Sequence, residues 1–112
     1  MSKWEIRNAK SKKGSVAKEK IRSKEQVYVL FYATWCPFSR IFLPIFEEYS
    51  KVNPRECLSV IVDEEPDLCE ECAIEYYPTV LLFKKGQICQ RLDPEPHVGL
   101  NKKQLEEFTK KG

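Results

Sequence analysis

Cys36 stands between Trp35 and Pro37 in the stretch YATWCPFSR, residues 32–40, with Ser39 three residues further on. A cysteine acts as a nucleophile through its thiolate, and two cysteines at this spacing make a redox dithiol. Here the second place holds a serine. Disulfide exchange begins when a thiolate attacks one sulfur of a disulfide, and it ends when a second thiol attacks the resulting mixed disulfide. Ser39 cannot perform the second attack: a hydroxyl forms no stable bond to sulfur, although it can donate a hydrogen bond to the Cys36 thiolate. The expected chemistry is attack by Cys36 on a protein disulfide, with the other sulfur leaving as a thiolate, stopping at a mixed disulfide until glutathione, a reductase or a partner cysteine releases it; the expected partners are protein disulfide or thiol substrates. No cofactor is called for.

The elements around Cys36 favour that role. Residues 27–33, VYVLFYA, form a continuous apolar run of the kind that makes a strand buried on both faces. After the motif, Ile41, Phe42, Ile45, Phe46 and Tyr49 recur at helical spacing over residues 38–53, with Pro44 expected to kink the helix. Cys36 thus falls between a strand and a helix, and Pro37 suits the first helical position, where a missing N–H costs nothing. A thiolate there faces unpaired backbone N–H groups and the positive end of the helix dipole, which favour it. Cysteine also packs well as a small hydrophobe, but packing alone does not account for Trp35, Pro37 and Pro78 in concert.

The remaining elements follow in order. Residues 4–7 suggest a short first strand and residues 14–26 a weakly amphipathic helix. Residues 57–63 read as a strand, 66–76 as a short helix entered at Pro66, and 79–83 as a strand joined by the KKGQ turn to 88–92. A closing helix spans 101–111, with Asn101 as N-cap and Gln104 in the capping-box position. The result is an α/β chain of order βαβαβαββα with no internal repeat, read as a single domain over 1–112.

Three separated segments, YATWCPFSR, YYPTVLLFKKGQ and HVGLNKKQLEEF, resemble the thioredoxin family in the right order and across nearly the whole chain. The resemblance implies the thioredoxin fold: a central mixed sheet of four to five strands flanked by helices, with Cys36 opening the second helix. It also implies a cis-proline at Pro78, a hairpin glycine at Gly86, and a substrate groove formed by Trp35, Pro37, Phe38, Tyr77, Pro78, Val98 and Gly99. Dithiol relatives carry a buried carboxylate six residues before the first cysteine, where this chain has Leu30. Burying a carboxylate is costly without a role, so Leu30 fits a chain with no second sulfur to deprotonate. In this it is similar to the monothiol members of the protein disulfide isomerase family, whose motif also ends in Phe-Ser. The competing explanation is a dithiol protein with an engineered cysteine-to-serine change at position 39. A non-catalytic module that captures clients covalently is a second alternative. An iron–sulfur carrier of the monothiol glutaredoxin kind fits less well, because Trp35 and the segment around Pro78 are thioredoxin-like and the prolines crowd the sulfur.

Cys69 and Cys72 form a second pair. Their spacing suits half of a zinc site or a local disulfide, but the one histidine, His97, lies in an expected loop, and no metal is expected. Seven acidic and no basic residues lie between Asp63 and Glu75, so negative charge should raise both thiol pKa values. Cys72 reads as core and Cys69 as half-exposed, with a regulatory disulfide between them kept open. Cys57 and Cys89, on expected strands, read as core fillers, and Arg40 as a solvated helix residue.

Composition limits the rest. At 112 residues and 42% hydrophobic content the chain supports one core. Of its 19 basic and 17 acidic residues, nine and three fall within residues 1–25, leaving ten and fourteen for the body. That basic arm lacks aromatic interleaving beyond Trp4, so nucleic acid is not an expected partner. Five cysteines, an odd number, fit reduced thiols rather than a disulfide framework. With no span-length apolar run and no signal-like segment in residues 1–13, the expectation is a soluble, cytoplasmic monomer that engages no membrane.

Overall fold

The computed structural model describes residues 16–53, 55–95 and 98–111. The strand expected over 4–7 and His97 lie outside them. Among the described residues, four strands form one sheet: β1 (Gln26–Tyr32), β2 (Cys57–Ile61), β3 (Thr79–Lys84) and β4 (Gln87–Leu92), in the spatial order β2-β1-β3-β4. β2 runs parallel to β1, whereas β3 is antiparallel to both β1 and β4. The helices are α1 (Val16–Arg22), α2 (Pro37–Val52), α3 (Pro66–Glu71) and α4 (Lys102–Lys111). None of them is long and apolar enough to cross a membrane.

Alternation along the central strands divides the core in two. Val27, Val29 and Phe31 of β1 join Leu81 and Phe83 of β3 under α1 and α3, where Ile21, Leu68 and Cys72 complete the packing. Tyr28 and Leu30 point to the opposite face with Val80 and Leu82, covered by Phe42 and Phe46 of α2 and Leu105 and Phe108 of α4. Both faces of β1 are therefore dry, which is why its sequence is a continuous apolar run rather than an alternating one. Helix α2 continues through Pro44. Ile41, one of the apolar residues at helical spacing, is 64% exposed.

Local chemistry sets the element ends. Asn101 Oδ1 accepts from the Gln104 N–H at 2.8 Å, and the Asn101 N–H donates to Gln104 Oε1 at 2.9 Å, a reciprocal capping box. Lys85 and Gly86 take φ of 55° and 82° in the two-residue turn between β3 and β4, the geometry that matches strand twist. Two expectations need correction. The strand of residues 57–63 gives way to a 3-10 turn at Val62–Glu64. The helix expected to reach residue 76 stops at Glu71, because Ala73 adopts φ 54° and the chain closes a Schellman motif. In it Ile74 N–H donates to the Cys69 carbonyl at 3.0 Å and Ala73 N–H to the Glu70 carbonyl at 3.1 Å.

Cys89 is also corrected: it is exposed, not a core filler. Leu82 pairs with Gln90 and Phe83 with Ile88, so Cys89 is the extra residue of a β-bulge on an edge strand and has no partner across the ladder.

Candidate functional site

Strand register brings four chain segments to one end of the sheet. Phe31 lies opposite Thr79, so the loop leaving β1 and the Tyr77-Pro78 segment entering β3 share an edge. Tyr32 pairs with Ile61, which places the Val62–Glu64 turn beside them. Val80 pairs with Leu92, and the segment after β4 arrives at the same edge.

Cys36 occupies the N-cap of α2, with Pro37 at the first helical position. Its backbone N–H donates to the Ala33 carbonyl at 3.2 Å, and its own carbonyl accepts from the Arg40 N–H at 3.0 Å. The side chain is half-buried, and its Sγ lies 3.8 Å from the Tyr77 carbonyl oxygen. The Tyr77-Pro78 peptide bond is cis, and Pro78 is buried. Trp35 is 61% exposed. Its Nε1–H donates to Asp63 Oδ2 at 3.0 Å, and its ring meets Tyr77 edge-on at 5.7 Å. Gly99 has φ 80°, and a Cβ there would lie 3.0 Å from Phe38 Cδ1, so the bare backbone of Gly99 is what lets the Phe38 ring lie against it.

A depression of about 270 Å³ opens beside the sulfur, lined by Trp35, Cys36, Phe38, Tyr77 and Gly99 together with Glu75, Tyr76, Pro94 and Glu95. The first five were expected from the sequence. The other four come from loops that carry no local signal for a site. Of the remaining expected groove residues, Val98 is 63% exposed, Pro37 is exposed and Pro78 is buried, and none of the three lines the depression. Arg40 is exposed on α2, as a solvated helix residue would be.

Ser39 is fully buried. Its Oγ accepts a hydrogen bond from the Ala33 N–H at 3.1 Å. A hydroxyl can also donate, as the sequence allows toward the Cys36 thiolate; the bond that the structure shows is the one it accepts, which ties the strand-to-helix loop to the first turn of α2. Removing the acceptor leaves a buried N–H unpaired, so Ser39→Ala is expected to lower unfolding stability by about 1–3 kcal/mol, read from urea midpoints.

Three of the other thiols, Cys57, Cys69 and Cys72, are protected, whereas Cys89 is exposed. Burial first, then Glu65 and Asp63, pushes Cys69 up to about 11. Burial, then Cys69 and Glu71, pushes Cys72 up to about 12 against the opposing Arg91 and Lys18. Desolvation therefore outranks the acidic neighbours as the cause. Cys57, half-buried against the α2 side of the core, is likewise pushed up to about 11, chiefly by burial. Burial and the neighbouring Cys69, Asp63 and Cys36 also raise the Tyr77 phenol. With limiting iodoacetamide at neutral pH, alkylation is expected at Cys36 first and at the exposed Cys89 next, with Cys57, Cys69 and Cys72 lagging, as peptide mapping reads directly. Preferential labelling of Cys69 or Cys72 would contradict this.

The chain matches the Thioredoxin family profile over residues 8–111. The chain belongs to the thioredoxin family. It is 35% identical over 91 residues to thioredoxin of Rickettsia bellii, covering 80% of this chain and 82% of that one. It is also 35% identical over 81 residues to endoplasmic reticulum resident protein 44 of Homo sapiens, covering 65% of this chain but 20% of that protein. Among solved structures, the oxidised thioredoxin of Plasmodium falciparum superposes with a TM-score of 0.74 at 30% identity, covering 87% of this chain and 89% of that one. The four-stranded mixed sheet flanked by helices is the thioredoxin fold, and the family is one of thiol-disulfide oxidoreductases.

Proposed function

We propose that this thioredoxin-like chain exchanges disulfides through Cys36 as its one active-site sulfur and forms mixed disulfides with protein substrates. The observation that carries the reading is the contrast between two positions in one helical turn. Cys36 sits half-buried at a helix N-terminus beside an open aromatic depression, whereas Ser39 is sealed in and its oxygen is bonded to the Ala33 N–H. The Cys36 thiolate attacks a substrate sulfur, a new S–S bond forms as the old one breaks, and the departing sulfur leaves as a thiolate. An external thiol, from glutathione or a reductase, then attacks the mixed disulfide and regenerates Cys36.

Leu30, buried in the α2 side of the core, supports a native monothiol over an engineered dithiol. A carboxylate there would have to be desolvated among Phe42, Val80 and Leu82. On this reading Trp35, Phe38, Tyr77 and Gly99 hold an extended substrate segment, while Pro37, Pro78 and Val98 flank it. The chain works as a single cytoplasmic domain and as a monomer, without nucleic acid, membrane or metal.

A client-capture module shares the first step but not the second. Turnover of a peptide disulfide with excess glutathione separates them. Exchange predicts repeated release of reduced peptide, whereas one stoichiometric adduct with no release would favour capture.

A further inference from the structure

We propose that the depression beside Cys36 selects client segments that carry a lysine or arginine next to the reacting cysteine. The inference rests on Cys36 being the nucleophile and adds a substrate class to it. The walls are aromatic, from Trp35, Phe38 and Tyr77, and the charged residues lining the depression are Glu75 and Glu95, both exposed. They come from two different loops, one before β3 and one after β4, so the carboxylates belong to separate walls rather than to one acidic run. Asp63, bonded to Trp35 Nε1, adds a third carboxylate at the same end of the sheet.

No described residue lining the depression is basic. Arg91, on β4, is held by Asp93 at 2.9 Å and by the Cys72 and Ala73 carbonyls at 2.9 and 3.1 Å, so its charge is already matched. A cationic side chain entering with the client cysteine meets carboxylates and aromatic faces, both of which attract it. An anionic one meets like charge from the carboxylates and the attacking thiolate. The exchange itself is unchanged: the Cys36 thiolate bonds to one client sulfur, the client S–S bond breaks, and the other sulfur leaves as a thiolate.

Three small disulfides probe the charge alone: cystamine is cationic, bis(2-hydroxyethyl) disulfide neutral and dithiodipropionate anionic. Rates of Cys36 adduct formation, read by intact mass and peptide mapping, give a cation-to-anion ratio. The expected result is a ratio that falls by about tenfold in the Glu75→Gln, Glu95→Gln double variant at low ionic strength. The ratio of the unmodified chain is also expected to fall as salt is raised, since charges beyond a Debye length of about 8 Å are screened at physiological ionic strength. The salt series needs no variant, so misfolding of the double variant cannot mimic it. Adducts with all three probes at a ratio insensitive to both the substitutions and salt would overturn the charge selection alone. No adduct at Cys36 with any probe would overturn the reading of Cys36 as nucleophile, and this inference with it.

Discussion

Ser39→Cys is expected to raise disulfide turnover with dithiothreitol-recycled electrons by at least about tenfold. A cysteine three residues along the same helix lies within the ~4–7 Å Cα range that a disulfide requires. Its thiolate attacks the mixed disulfide from within the molecule, where effective concentrations far exceed those of any added thiol. The gain is partial for a physical reason. The second sulfur is buried where Ser39 now lies, and Leu30 supplies no carboxylate to take its proton. A reduction assay on an insulin-type substrate compares the two forms. Equal rates would mean that another cysteine of this chain already resolves the intermediate.

Above about pH 9 the protein is expected to lose stability, by up to about 1.4 kcal/mol per pH unit for the buried Cys72 and by less for the half-buried, solvent-screened Cys57 and Cys69. An unfolded cysteine titrates near ~8.5, whereas in the folded chain Cys72 is pushed up to about 12 and Cys57 and Cys69 to about 11. Between those values the folded state keeps protons that the unfolded state has released, so rising pH favours unfolding. The stabilisation is complete below the unfolded value and is used up once pH passes the folded ones. Tyr28, raised chiefly by burial, acts with the same sign at higher pH. Urea midpoints measured from neutral to alkaline pH read the slope. Cys72→Ala should lower stability at neutral pH, through a small cavity beside Leu68, yet flatten the alkaline limb by about 1 kcal/mol per unit. An unchanged slope would place Cys72 in water.

How much of this was legible in the sequence depends on which interactions are local. The buried strand β1 and the cap of α4 could be read directly, because a two-faced dry strand demands an apolar run and a capping box needs two residues at fixed spacing. Cys36 at the head of α2 was legible for the same reason: the strand, the cysteine and the proline are contiguous. The end of α3 was not, since the left-handed residue that closes it is Ala73 rather than glycine. Nor was the exposure of Cys89, which follows from a shift in register between two strands. Glu75 and Glu95 reach the depression through strand pairing across the sheet, so nothing near them in the chain announces a site. The bond from the Ala33 N–H to Ser39 joins a loop to a helix turn six residues away, and a serine at that spacing does not announce which backbone group it will accept from.

The central claim is that Cys36 attacks and that the reaction halts there. Exposing the reduced chain to a peptide disulfide, removing the excess and following intact mass with peptide mapping tests both halves at once. The account predicts a single adduct on Cys36 that persists until an external thiol is added and then disappears completely. An adduct forming on Cys57, Cys69, Cys72 or Cys89 ahead of Cys36, or spontaneous release accompanied by an internal disulfide to Cys36, would contradict it.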